Sequence, residues 1–190
     1  DTCGIKKAVV DSITPLLEKY GVTFIGAHPM AGREFSGFEY SLDNLFDEAS
    51  FIITPTDSVP QAKLNLLEDF AYSMHFKKVV FASPEEHDQI IAFTSQLAHV
   101  VSNAYIKSPT HRKQLGFSAG SFQDLTRVAK LNEIMWTPLF MLNKEPLCFE
   151  IDYIIDRLTE YRDAMQNGDS DRLCELLKEG RILKEETKQL

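Results

Sequence analysis

The feature that most constrains this chain is a change of period at Ser83-Pro84. Before it, helical spacing alternates with short β-branched and apolar runs. After it, only helical spacing recurs. Alternation of helix and strand is how a parallel α/β layer reads, whereas an unbroken helical period needs helix-on-helix packing. In the first part, Ile5 to Tyr20 is predicted helical despite Pro15, with Gly21 as its terminator. Val22 to Ala27, Ser50 to Thr54 and Lys78 to Ala82 read as strands. Ser41 to Phe46 and Lys63 to Met74 read as a short and a longer helix. In the second part, Pro84 to Ile106, Glu145 to Met165 and Asp169 to Leu190 carry helical spacing, with Gly180 a possible break in the last. The expected architecture is α/β over 1–83 followed by all-α over 84–190.

Composition narrows the function classes. The 190 residues carry 20 Lys+Arg against 28 Asp+Glu, a net charge of −8, without a basic cluster that would mark a nucleic-acid surface. No apolar run approaches the length of a membrane span, and Cys3, Cys148 and Cys174 fit neither a disulfide framework nor a metal pair. The reading is a cytoplasmic protein with reduced thiols, and with neither nucleic acid nor membrane as partner.

His28 stands at the end of the first predicted strand, Val22 to Ala27, in the run Gly26-Ala27-His28-Pro29-Met30-Ala31-Gly32. Ligands of parallel α/β sheets bind beyond the carboxyl ends of strands, and imidazole is suited to take a proton from a hydroxyl. A histidine bonded to backbone in a strand-to-loop corner is the plainer alternative. Gln96, His99 and Asn103 recur at spacings of three and four on an otherwise apolar helix, which makes either a pocket wall or a hydrogen-bonded helix contact. His87, His99 and His111 are too far out of phase to form a metal site. Asp124 and Arg127, three apart, make either a weak surface pair or, through the Arg fork, a carboxylate clamp. Trp136, the single tryptophan, reads as a core or interface anchor.

Several segments in order resemble prephenate dehydrogenases. They are Gly26 to Glu34, Ser36-Gly37, Ser41 to Phe46, Ala49 to Pro55, Ser83 to Asp88, Ser95 to His99, Phe122 to Ala129 and Ile134 to Trp136. The resemblance implies the C-terminal part of a Rossmann-like domain plus a helical domain that forms a homodimer. It further implies NAD-dependent oxidative decarboxylation of prephenate, or of the close analogue arogenate, to 4-hydroxyphenylpyruvate or its amino counterpart on the way to tyrosine. On this basis His28 polarises the ring hydroxyl, Arg127 holds a substrate carboxylate, Asp124 orients Arg127 and Glu34 gates the pocket. Gln96 and His99 line the pocket, and Trp136 helps close it, including from the partner subunit. Cys3, Gly4 and Met30 flank the nicotinamide end of the cofactor.

Two departures accompany the resemblance. Gly4 stands where many members have a catalytic serine in Gly-Ser-x-Lys, leaving Cys3, Thr2 or water to substitute, and Gln96 stands where some carry a second histidine. No G-x-G-x-x-G turn occurs anywhere in the chain. The phosphate half of the dinucleotide site is therefore expected outside it, and a chain opening on Asp1 reads as a piece of a longer enzyme, inactive alone. A non-catalytic dimerisation or ligand-binding fragment is the competing class.

Overall fold

A computed structural model describes residues 1–33 and 37–187. The chain divides into two compact units, Asp1–Leu147 and Cys148–Leu190. The first begins with α1 (Lys7–Tyr20), which ends at Gly21 in the left-handed region (φ 59°), with the Gly21 N–H donating to Leu17 O. Then come β1 (Gly26–Pro29), β2 (Ser50–Thr54), α2 (Gln61–Ser73) and β3 (Lys78–Phe81). Helical segments α3 (Pro84–Ile91) and α4 (Ala98–Tyr105) are joined without interruption by a π-helical stretch, Ala92–Leu97. After them lie α5 (Gly120–Thr126), α6 (Glu133–Leu142) and α7 (Lys144–Gln166).

The sheet order is β1-β2-β3. β2 and β3 are parallel, as expected for strands joined by the crossover helix α2. β1 and β2 are antiparallel, with Gly26 opposite Thr54 and His28 opposite Ile52, which corrects the expectation of a uniformly parallel layer. The reason lies in the connection 30–49. Its described residues form a 3-10 turn at Phe38–Tyr40 and hydrogen-bonded turns over 42–49, not a crossover helix, so the chain doubles back. The predicted helix over Ser41 to Phe46 is accordingly a series of turns. β1 also starts later than predicted, because β2 ends at Thr54 and offers no partner to residues before Gly26.

On its other edge β1 meets the first residue. The Asp1 amine donates to Ile25 O and Ala27 N–H donates to Asp1 O, both at 3.1 Å, the pattern of a parallel bridge to Gly26. A Cβ at Gly26 would lie 2.3 Å from Thr54 Oγ1 and 3.3 Å from Lys6 Cδ, so only glycine lets these three segments close on one another. The sheet buries Ala27, Phe51 and Ile53 against Ala71 and Phe76, with Phe46 stacked on Phe76 at 4.6 Å. Alternation along β2 decides this, since Phe51 and Ile53 fall on one face.

α3 starts from a locally encoded cap: Ser83 Oγ accepts from Glu86 N–H, Pro84 occupies the first turn, and Glu85 and Glu86 sit at its positive end. The second unit is a helical hairpin of the remainder of α7 and of α8 (Ser170–Glu186), turned at Gly168 (φ 66°). Tyr161 Oη donates to Leu176 O at 3.2 Å across the hairpin. α8 runs through Gly180 without the possible break, with Tyr161 Oη 4.0 Å from where a Cβ at that glycine would sit. Among the described residues no helix is long and apolar enough to cross a membrane.

Candidate functional site

His28 sits one residue before the end of β1, half-buried. Its Nδ1 lies 2.9 Å from His87 Nε2, and His87 Nδ1 lies 2.7 Å from Asp88 Oδ1. His87 and Asp88 are 1% and 3% exposed, although the residues just before them on the same helix, Glu85 and Glu86, are exposed. The Asp88 carboxylate also closes the start of α1: Lys6 N–H donates to Oδ1 at 2.7 Å and Lys7 N–H to Oδ2 at 2.8 Å. α1 has no capping side chain of its own, so this carboxylate, 82 residues away in sequence, caps it and meets the positive end of its dipole. Burial pushes the Asp88 carboxyl up, but the hydrogen bonds from His87 and from the Lys7 and Lys6 amides outweigh it and hold Asp88 below the usual carboxylate range.

A buried cation lies beside this chain of bonds. The Lys6 ammonium is fully enclosed and donates to Asp1 Oδ1 and Ala27 O, each at 2.5 Å. Burial lowers Lys6 to about 8, against the opposing influence of Cys3 and Asp88. His28 is lowered to about 4, first by burial, then by its neighbours His87 and Lys6, with Asp88 acting in the other direction. At neutral pH His28 is therefore an uncharged imidazole. Asn143, buried at the end of α6, donates to Asp88 O at 2.9 Å and to Gln96 Oε1 at 2.8 Å, tying α6 to α3 and to the π-helical stretch.

Just beyond β1, Gly32 and Arg33 line an open cavity of about 640 Å³ whose helical side includes His99, Arg127, Lys130 and Trp136. Three cations border it, and among the described residues no carboxylate does, in a chain of net charge −8. Such a cavity attracts anions. The His99 and Trp136 rings are 4.1 Å apart. His99 Nδ1 donates to Val128 O at 3.2 Å, because a carbonyl can only accept, which leaves Nε2 as the variable nitrogen.

Ser102 Oγ donates to Leu125 O at 2.7 Å and Asn103 Nδ2 to Ala129 O at 3.0 Å. His99, Ser102 and Asn103 thus clamp the backbone that carries Arg127. The polar stripe on the long helix is a pocket wall at His99 and, at Asn103, a hydrogen-bonded contact to the backbone just beyond α5.

The other predicted residues are distributed more widely. Gln96 is 2% exposed, bonded to Asn143 and absent from the cavity lining. Asp124 is exposed on α5 and does not line the cavity, and Arg127 follows directly on the last residue of that helix. Glu34 lies outside the described residues. Cys3 is exposed, Met30 is 39% exposed, and a Cβ at Gly4 would meet only Leu139 Cδ2, at 4.0 Å. Space is therefore open at all three positions expected beside a nicotinamide.

Reasoning on the sequence assigns no role to Lys6, Asp88, Asn143, Ser102 or Lys130, and weighs His87 only within a family motif and in a rejected metal site. Adjacent His and Asp after a helix cap, and the missing local cap of α1, were the available signals.

Comparisons with known proteins cover this same ground. Residues 1–80 match the family model "Prephenate dehydrogenase, nucleotide-binding domain", and residues 83–179 match "Prephenate dehydrogenase, dimerization domain". The chain is similar to a prephenate dehydrogenase of Bacillus subtilis, 29% identical over 94% of this chain and 49% of that protein. It is similar to a cyclohexadienyl dehydrogenase of Zymomonas mobilis, 29% identical over 94% of this chain and 62% of that one. It therefore spans between about half and three fifths of these relatives' length. A solved prephenate dehydrogenase from Aquifex aeolicus, in complex with hydroxyphenyl propionate and NAD+, superposes with a TM-score of 0.82 at 32% identity, over 97% of this chain and 65% of that one. With both family models matched end to end along an α/β segment and the helices that follow it, the chain belongs to the prephenate dehydrogenase family, a family of oxidoreductases that use NAD.

Proposed function

We propose that this chain carries the substrate side of an enzyme that oxidatively decarboxylates prephenate to 4-hydroxyphenylpyruvate, with NAD as hydride acceptor, in tyrosine biosynthesis. The observation that carries the reading is the coexistence in one unit of an uncharged, half-buried His28 and a cavity lined by Arg33, Arg127 and Lys130. Prephenate is a dianion with a ring hydroxyl, so it needs both. Its functional boundary falls near Pro84, a division supported by the meeting of the two family models between residues 80 and 83.

NAD supplies one thing, an acceptor for the hydride on the carbon bearing the hydroxyl. Exposed Cys3 and Met30 and the side-chain-free Gly4 suit the approach of a flat nicotinamide ring. His28 takes the hydroxyl proton as the carbon–hydrogen bonding pair departs, which turns the carbinol into a carbonyl. The ring carboxylate then leaves as carbon dioxide, and its bonding electrons aromatise the ring to a phenolate. His28 returns the proton to that oxygen and ends unchanged. Arg127 holds a carboxylate through its two-pronged donor geometry, and Arg33 and Lys130 add positive charge around the same cavity. Trp136 against His99 forms an apolar wall that excludes water from the ring.

The test is turnover by a polypeptide that joins this chain to a glycine-rich dinucleotide-binding half, followed by NADH formation with prephenate and, separately, arogenate. Turnover of either supports the dehydrogenase, and the faster one identifies the substrate. No NADH from either would end the proposal. In the same protein Arg127→Gln is expected to raise KM on the order of 10²-fold, the loss of one charge-assisted carboxylate contact, with kcat within a few-fold of the parent. A fall in kcat at unchanged KM would remove Arg127 from the clamp.

The protein acts as a homodimer through its helical part. The family model described as a dimerization domain supports this, as do large apolar side chains left exposed on α7, among them Phe149 at 66% and Leu158 at 60%. Sedimentation velocity is expected to give a dimer mass. An Ile155→Glu/Leu158→Glu double variant should sediment as a monomer with its helical circular dichroism intact. A monomeric parent would refute the interface.

A further inference from the structure

We propose that His87 and Asp88 are positioning residues that hold His28 in the Nδ1–H tautomer, so that its unprotonated Nε2 is the nitrogen offered to a substrate hydroxyl. This rests on the dehydrogenase reading for its purpose, but not for its geometry. The chain of bonds has a direction that its ends impose. Asp88 is a carboxylate and can only accept, so the His87 nitrogen 2.7 Å from it carries a hydrogen. A neutral His87 then has a lone pair on Nε2. The His28 nitrogen 2.9 Å away must be the donor, and one neutral imidazole cannot carry hydrogen on both nitrogens.

The reverse direction would require His87 to be an imidazolium donating at both ends. Three features oppose that. His87 is 1% exposed, where a charge is poorly solvated. The fully enclosed Lys6 ammonium already occupies this region as a cation and donates to Ala27 O, next to His28. The Asp88 charge is met by two amides at the positive end of α1 as well as by His87, so it does not demand a second full cation. Asp88 is itself immobile: two amides grip its carboxylate and Asn143 grips its carbonyl. The orientation of His28 is therefore fixed from the start of α1 through α3, by groups that touch no substrate.

The position of the dyad also explains why it is buried. A helix segment with Glu85 and Glu86 exposed could turn His87 and Asp88 to water at no cost to its own backbone. Instead both point inward and meet β1 and α1. A role limited to capping α1 would need Asp88 alone. His87 has no function in that cap, and among the described residues its ring bonds to Asp88 and His28.

The experiment uses the 190-residue chain labelled with ¹⁵N-histidine. Long-range proton–nitrogen correlation at neutral pH reads the tautomer of each of its 5 histidines, with a His28→Gln variant giving the assignment. The expected spectrum has His28 protonated at Nδ1 and unprotonated at Nε2, and His87 neutral with its proton on Nδ1. In His87→Phe, which leaves Asp88 bonded to both α1 amides, His28 is expected to shift mainly to the Nε2–H form that free imidazole side chains prefer. An Nε2–H His28 or an imidazolium His87 in the parent would overturn the proposal whether or not the variant folds, and so would an unmoved tautomer in a folded His87→Phe. In the NAD-binding polypeptide described above, His87→Phe should lower kcat on the order of 10²-fold, with KM within a few-fold. If the parent polypeptide is inactive while the spectra are as expected, the dehydrogenase reading fails and the tautomer assignment stands.

Discussion

Replacing His28 with Asn is expected to lower kcat by roughly 10²–10⁴-fold, the usual worth of a positioned proton acceptor, while leaving KM for prephenate within a few-fold. Asn keeps a polar group near His87 Nε2, so the fold should tolerate it, but its amide cannot accept the hydroxyl proton. The pH profile gives an independent check. Only unprotonated His28 can act as the acceptor, so kcat/KM is lost as pH falls through its folded-state value. Burial first, and the adjoining His87 and Lys6 second, place that value at about 4, not at the ordinary 6.5, so the acid limb should lie near pH 4. The same displacement appears in stability. Between pH 6.5 and about 4 the unfolded chain takes up a proton that folded His28 refuses, so this residue makes the fold less stable as pH falls through that window. Urea midpoints measured across the window should fall less steeply in His28→Asn. A variant with unchanged turnover would remove His28 from the chemistry.

Asp88→Ala is expected to produce the largest loss of stability of any single change in the site, about 3–5 kcal/mol in chemical denaturation. It removes a buried carboxylate and strands three donors, the Lys6 and Lys7 amides and His87 Nδ1–H, where water does not readily reach. It also leaves the enclosed Lys6 ammonium with less compensating negative charge. Domains are commonly stable by only about 5–15 kcal/mol, so such a variant would be partly unfolded under mild conditions. Asp88→Asn should lose less, because its amide oxygen can still accept from one donor while its amino group faces another. A loss below about 1 kcal/mol for the alanine variant would show that α1 finds another cap, and that the carboxylate is not the joint between α1 and α3.

Much of the fold was legible along the chain because the relevant forces are local. Ser83-Pro84-Glu85-Glu86 contains a hydroxyl cap, a proline in the first turn and two acids at the positive helix end, and α3 begins there. Ser50 to Thr54 is a strand at the predicted residues because alternate side chains bury against Ala71 and Phe76. The direction of β1 was not legible. Strand propensity says nothing of orientation, and the connection that reverses the chain has no strong pattern of its own. The π-helical stretch at Ala92–Leu97 was also invisible, since one extra residue in a turn hardly disturbs an apolar period.

The candidate site divides in the same way. His28, His99, Arg127 and Trp136 were found from residue type, spacing and family resemblance, and the last three border one cavity. Gln96 was equally prominent, yet it is buried against Asn143, because spacing places a residue on a helix face without saying which neighbour covers that face.

By itself, then, the sequence determined the switch from α/β to helix at Pro84, most helix limits, and the residues whose side chains can bind an acid or take a proton. These follow from backbone preference, apolar period and intrinsic side-chain chemistry. Only the tertiary structure decided that Asp88 would cap a helix 82 residues away, that His87 would stand between it and His28, and that His28 would remain uncharged at neutral pH. Those properties belong to no residue alone. They arise where burial removes water and leaves each polar group only the partners that folding brings within about 3 Å.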